Sequence, residues 1–265
     1  MPPGDIRNCM IALSEDENLM SRLFRFRFAG KGELHNHSFG NLFLSAMSGV
    51  TRDFAEAVRL TSEVLAIKGV IYPATNSDVR LQAEFADGSV VEGETRITAA
   101  RKKVKRISLN PPGAQPLDAA LNAIAKADLI SIGPGSLYTS LVPNLLVDKI
   151  VDAIERSNAR KIYIQNIMTQ PGETEDMSAA DHVEALVCHS GGKKLFSRIL
   201  LNNAIPSAAM LRKYELEGAR LVTNDKDRLV AMGFDCVEFD LLAKGRVIRH
   251  DPDKLARALY AMLGA

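Results

Sequence analysis

Two glycines and four hydroxyls follow a short apolar run in this chain. Gly133-Pro134-Gly135-Ser136 comes directly after residues 128–132, and Tyr138, Thr139 and Ser140 come next. Glycine lets backbone amides approach a ligand closely. A helix start behind such a loop offers unpaired N–H groups and a partial positive charge. The pattern suits a phosphate cradle, with Gly133, Gly135, Ser136, Tyr138, Thr139 and Ser140 as binding candidates. It also suits a strand-to-helix turn whose serines cap the helix, and the motif alone leaves both readings open.

A second polar loop, Asn166-Ile167-Met168-Thr169-Gln170-Pro171-Gly172-Glu173-Thr174, follows the apolar run at 161–167. Asn166, Thr169 and Gln170 have the donors and acceptors to read a base or a sugar. A turn built on Pro171-Gly172 is the plain alternative. In His35-Asn36-His37-Ser38-Phe39-Gly40-Asn41 the His-x-His spacing suits zinc, but no cysteine or third histidine lies nearby. His37 as a donor to a phosphate at a helix start, beside Gly40 and Asn41, is the better reading, with a capping role as the plain alternative. Arg249 stands at a further strand end, where it can fork onto a phosphate. Asp251-Pro252 makes an N-cap and first-turn pair. Tyr214 either stacks on a ring or packs half-buried.

Two catalytic readings fail on detail. Pro134-Gly135-Ser136-Leu137-Tyr138 lacks the flanking glycines of a nucleophile elbow. No Gly-x-Gly-x-x-Gly follows a first strand with an acidic residue downstream.

The elements that must position these residues fall in two textures. The first third reads as helical: a Ser14–Glu17 capping box launches Leu19, Leu23, Phe24 and Phe26, and helices are expected from about 41 and over 52–66. Residues 79–85 and 90–97, joined by Asp87-Gly88, predict a β-hairpin, with a further strand at 105–109. From residue 116 helix and strand alternate. Helices are expected at 117–127, 144–157, 178–189, 206–216, 226–232 and from 252, and strands at 128–132, 161–167, 198–201, 220–223 and 236–240. Ser178 and Asp181 form another capping box. Short apolar strands alternating with helices predict an α/β fold: a Rossmann-like parallel sheet with helices on both faces. A hairpin insertion at about 69–110 is expected within one domain over 1–265. Ligands are expected at the carboxyl ends of the strands, where strand order reverses.

The 265 residues are 46% hydrophobic and 25% charged, enough for a sizeable core. With 33 basic and 32 acidic residues the net charge is +1, which gives no footprint for nucleic acid or a membrane surface as partner. Three dispersed cysteines, Cys9, Cys188 and Cys236, fit a reduced, cytoplasmic protein. No apolar stretch is long enough to span a bilayer.

Taken in order, Pro2-Pro3-Gly4-Asp5-Ile6-Arg7-Asn8, His37-Ser38-Phe39-Gly40-Asn41, Gly133–Ser140, Met168–Thr174 and Arg249-His250-Asp251 resemble the YvcK-type proteins. These gluconeogenesis factors belong to the CofD-like superfamily, and the resemblance spans essentially the whole chain. It implies a Rossmann-like sheet and a nucleotide-type ligand. YvcK-type members are regulators of central carbon flux and cell-envelope synthesis, associated with cell shape and with UDP-N-acetylglucosamine. CofD members transfer a phospholactate unit to a deazaflavin precursor with magnesium. The resemblance places Tyr214 and Arg249 at nucleotide-sugar positions beside the glycine cradle. It implies a nucleotide-sugar or phosphorylated metabolite as ligand, a regulatory protein partner and, as an open expectation, a homo-oligomer. Three functional readings follow: a metabolite-binding regulator, a CofD-like transferase, and an α/β fragment with a decayed site. Under the second, Asp5 or Asn8 would help hold metal or phosphate.

The sequence departs from the family pattern at two places. Asn36 stands where glycine is usual, and Asn tolerates the left-handed backbone next best. The family's first strand, its Gly-Gly-Gly-Thr-Gly loop and its Asp-Asp-Gly-Gly segment do not occur here, which predicts an internal start at Met1. Mg²⁺ would belong with that acidic segment in the full-length family member.

Overall fold

The structure, a computed structural model, describes residues 3–14 and 19–263. The chain gathers into two compact units, Met1–Asp78 with Gln115–Leu121, and Val79–Ala114 with Asn122–Ala265.

Among the described residues the first unit holds the helices α1 (Pro3–Leu13), α2 (Leu19–Arg25), α3 (Phe39–Thr51) and α4 (Phe54–Val64). Their apolar faces meet in a core of Ile6, Met10, Phe24, Leu44, Val58 and Leu65. The Phe24 ring packs edge-on against Phe39 at 5.9 Å and tilts onto Phe43 at 5.2 Å. Ser38 caps α3 by accepting from the Asn41 amide, and Asp53 caps α4 by accepting from the Glu56 amide. Asn36 takes the left-handed conformation at φ 62°, as its place in the loop predicts. Residues 15–17 of the Ser14–Glu17 capping box lie outside the described residues.

The second unit opens with an antiparallel sheet of β1 (Arg80–Phe85), β2 (Val90–Glu92) and β3 (Val104–Asn110), in the order β2-β1-β3. The hairpin turns at Asp87-Gly88, with Gly88 at φ 82°. Its second strand is shorter than expected. Gly93, at φ 98°, ends β2, and α5 (Glu94–Ala100) occupies residues assigned to strand by their apolar alternation.

After α6 (Asp118–Lys126) come β4 (Leu129–Ile132), a π-helical turn (Leu137–Leu141), α7 (Val142–Leu145), α8 (Ile150–Arg156), β5 (Arg160–Ile164) and α9 (Ala179–His189). Then follow β6 (Arg198–Asn202), α10 (Ala208–Leu216), α11 (Lys226–Ala231), β7 (Asp235–Phe239) and α12 (Pro252–Leu263). The four strands form one parallel sheet in the order β4-β5-β6-β7. Residues 162–164 of β5 and 199–202 of β6 are buried without alternation, as strands covered on both faces must be. α12 lays Ala258 and Met262 against Ile162, Ile164 and Leu200. On the opposite side of β5, Tyr163 stacks on Phe196 at 5.3 Å.

Three sequence expectations are corrected here. The helix expected over 144–157 is two helices, broken where Lys149 turns left-handed at φ 64°. Residues 220–223 form an isolated bridge, Met168 to Leu221, instead of a strand, because they pair with the loop after β5 and not with the sheet. The four strands run in simple sequential order, with no reversal among the described strands.

At the amino ends of the strands, cations cap helices. Arg160 and Arg198 donate to the Met262 carbonyl of α12, Lys161 to the Ser157 carbonyl closing α8, and Lys194 to the Met232 carbonyl closing α11. Positive charge there meets the negative end of each helix dipole. That leaves the carboxyl ends for ligand chemistry.

Candidate functional site

All four parallel strands end on one rim, so the loops leaving β4, β5, β6 and β7 share it. Gly133 holds φ 81°, and a Cβ there would sit 3.0 Å from the Ile164 carbonyl oxygen at the end of β5. Asn166 clamps the next glycine: its Nδ2 donates to the Gly135 carbonyl at 2.8 Å and its Oδ1 accepts from the Gly135 amide at 3.3 Å. Gln170 Nε2 donates to Ser136 Oγ at 2.9 Å. The glycine loop and the Asn166–Thr174 loop thus lie together on one rim, as neighbouring parallel strands require. Thr169 is buried and spent on structure: its amide donates to the Arg220 carbonyl at 2.7 Å and its Oγ1 accepts from the Arg220 amide at 2.9 Å.

Much of the anion-binding capacity expected of residues 136–140 is taken by the chain itself. The Glu173 carboxylate, 8% exposed, accepts from Thr139 Oγ1 at 2.8 Å and from the Tyr138 amide at 3.3 Å. Ser140 turns its amide back onto the Ser136 carbonyl at 3.0 Å. The Tyr138 ring meets the His189 imidazole edge-on at 5.9 Å, and burial pushes its hydroxyl up to about 12. Tyr138 lines a cavity with Glu173, Asp181 and Cys188, separate from the cavity on the rim.

The rim cavity, about 520 Å³, lies where β5 and β6 end and is lined by Asn166, Asn202, Asn203, Thr223, Asn224 and Ile205. Asn202 organises it. Its Oδ1 accepts from the Leu241 amide at 3.0 Å, its Nδ2 donates to the Ala204 carbonyl at 2.7 Å, and its own carbonyl accepts from Asn224 Nδ2 at 2.9 Å. Ile205 stands at the mouth with 78% exposure. Sequence reasoning passed over Asn202, Asn203 and Asn224. The signal was present, since Asn202-Asn203 ends an apolar run just as Asn166 does.

The loop after β7 closes back over the same rim. Ala243 and Arg249 pair through their backbones, and the His250 ring donates to the Gln165 carbonyl at the end of β5. Tyr214 accepts from the Ile248 amide at 3.1 Å through its hydroxyl, so it anchors the loop that presents the exposed Arg249. Asp251 caps α12 by accepting from the Asp253 and Lys254 amides at 3.0 Å, as expected. Three buried polar atoms at this rim have no partner: Gln165 Oε1, Gln170 Oε1 and His250 Nε2. Burial lowers the His250 ring below the usual imidazole range, against the opposing hydrogen bond to Gln165.

His37, Gly40 and Asn41 belong to the first unit. His37 is exposed, and its carbonyl accepts from the Phe28 amide at 3.0 Å. Gly40 is a packing requirement, because a Cβ there would fall 2.8 Å from the Phe24 ring and 2.9 Å from Arg7. Asn41 Oδ1 is buried without a partner. Asp5 lies in the first turn of α1. Among the described residues no group of three or more His, Cys, Asp or Glu could hold a metal ion. No helix among them is long and apolar enough to cross a membrane.

A parallel α/β sheet with an antiparallel insertion and a polar carboxyl rim defines the class as Rossmann-like. The family model described as 2-phospho-L-lactate transferase CofD matches residues 1–242. A relative from Nostoc sp. is 46% identical over 266 residues, and the match takes in 100% of this chain and 58% of that protein. The gluconeogenesis factor of Bacillus subtilis is 46% identical over 263 residues, covering 99% of this chain and 83% of its own. A crystal structure of a Bacillus halodurans protein described as a UPF0052 family member superposes with a TM-score of 0.92 at 44% identity, covering 98% of this chain and 83% of that one. The chain belongs to the CofD family. It spans a little over half the length of the Nostoc relative.

Proposed function

We propose that this chain binds a nucleotide-sugar of the UDP-N-acetylglucosamine type on the carboxyl rim, and acts as a cytoplasmic regulator by changing its contact with a partner protein. The observation that carries this reading is the amide-rich cavity of about 520 Å³ at the strand ends, which falls in the size class of small-molecule sites. Asn166, Asn203 and Asn224 supply donors and acceptors for a base or sugar edge, and Ile205 supplies an apolar face. The unpartnered Gln165, Gln170 and His250 atoms at the rim call for a polar ligand or water. Exposed Arg249 is suited to a diphosphate. The likeness to gluconeogenesis factors supports a link to central carbon metabolism, and the family resemblance extends it to envelope synthesis and cell shape.

Calorimetry with UDP-N-acetylglucosamine tests the reading. Saturable binding, weakened about 10-fold or more in Arg249→Ala, supports it. Absence of binding to the folded chain overturns it.

A CofD-like transferase is the second reading, favoured by the description of the family model. Transfer from a phospholactyl donor to a deazaflavin precursor, followed by mass spectrometry, would support it. A folded chain that neither binds nor turns over leaves a decayed site.

A further inference from the structure

We propose that a second copy of this chain docks head-to-tail on the first unit, seating the arginine–phenylalanine strip at 22–28 of one copy in a groove of the next. The groove, about 820 Å³, is walled by α4 and floored by the segment that follows it. Its charged lining is Asp53, Glu56, Glu63 and Asp118 against Arg59 alone, a net of −3. Arg59 is already engaged by Glu56 and Glu63. The floor is apolar and open: Val70 is 65% exposed and Tyr72 45%, while Ile71 between them packs on the core. Residues 70–72 belong to no strand or helix, and among the described residues their backbone groups make no hydrogen bond. A stretch with free backbone groups and alternate side chains turned outward is ready to pair with another extended chain.

The complementary surface is on the same chain. Arg22, Arg25 and Arg27 are exposed, no acidic residue lies between them, and Leu23 and Phe26 are 37% and 50% exposed. Arg27 bridges to Ser38 on one side only, through bonds made by its neighbours Phe26 and Phe28. Among the described residues the Arg27 amide and carbonyl carry no backbone hydrogen bond, so the outer edge of the strip is open there. Arg22 and Arg27, the latter also donating to the Asn36 carbonyl, with apolar side chains between them therefore face a groove of net −3 with an apolar floor. The two faces differ, so the contact is heterologous, and each added copy leaves one groove and one strip unfilled.

Sedimentation velocity of the full chain over a concentration series tests this. At about 50 mM salt the weight-average mass should rise to at least twice the monomer's, and at about 500 mM salt it should fall back as the charges are screened. Arg22→Glu/Arg27→Glu spoils the strip and leaves the groove; Glu63→Lys/Val70→Lys brings the groove to neutral and leaves the strip. All four side chains are exposed, so both variants should keep the wild-type circular dichroism and melting temperature. Each variant alone should be monomeric, and an equimolar mixture should form a dimer that grows no further, because only one intact strip–groove pair remains. A wild type that stays monomeric throughout overturns the proposal. So does a mixture that stays monomeric, or a monomeric wild type whose strip binds phosphatidylserine vesicles instead.

Discussion

Glu173 shows how one buried carboxylate can decide what a loop is free to bind. The sequence places a glutamate directly after a Pro-Gly turn. In the structure it takes the hydroxyl of Thr139 and the amide of Tyr138, tying the two rim loops together. Removing it leaves two buried donors unmet, so Glu173→Ala should cost about 2–3 kcal/mol in a urea titration, and Glu173→Gln should recover part of that. Gly172 beside it is fixed by sterics: it holds φ 83°, and a Cβ would fall 2.1 Å from the Thr98 carbonyl oxygen. Gly172→Ala should therefore cost about 2–4 kcal/mol in the same titration. The glycine and amide candidates at 133–136, 166 and 170 could be read from residue type alone, because strand-end loops declare themselves by composition. Asn202-Asn203 carried the same strand-end signal as Asn166, but the roles of Glu173 and Asn224 could not be read, since each depends on which loops fold together.

At the scale of elements, capping chemistry was the most legible feature. Ser178 and Asp181 form the reciprocal box that their spacing predicts, and Asp225 reinforces it by accepting from Ser178 Oγ at 2.7 Å. Ser178→Ala should lower stability by about 1 kcal/mol, read as a shift in the thermal midpoint. The helix–strand alternation after residue 116 was legible because both faces of the sheet are covered, which makes each strand a short apolar run between amphipathic helices. Local pattern failed where tertiary contact overrode it. Residues 220–223 have strand composition but pair with a loop, and α5 replaces strand after Gly93 although Ile97 lies on the apolar alternation of 90–97. Contacts far apart in sequence left no local trace at all, such as the Ile107 amide donating to His189 Nε2 at 3.0 Å.

Over the whole molecule, one buried and two half-buried histidines set an acid limit. Burial lowers His182, His189 and His250 below the usual imidazole range, each against an opposing backbone hydrogen bond. The unfolded chain then binds more protons than the folded one just below the unfolded pKa of about 6.5. Stability should accordingly be full above that pH and decline as pH falls through the depressed folded values. Urea midpoints measured from pH 7.5 down to pH 5 should show that decline, and His189→Gln should flatten it. A midpoint independent of pH across this window would contradict the assignment. If the proposed function holds, loops from β4, β5, β6 and β7 converge on one ligand. Hydrogen–deuterium exchange with and without UDP-N-acetylglucosamine tests it most directly. Slowed exchange is expected at 133–136, 166–170, 202–205, 223–224 and 248–250 together. Protection confined to other segments, or none at saturating ligand, would contradict it.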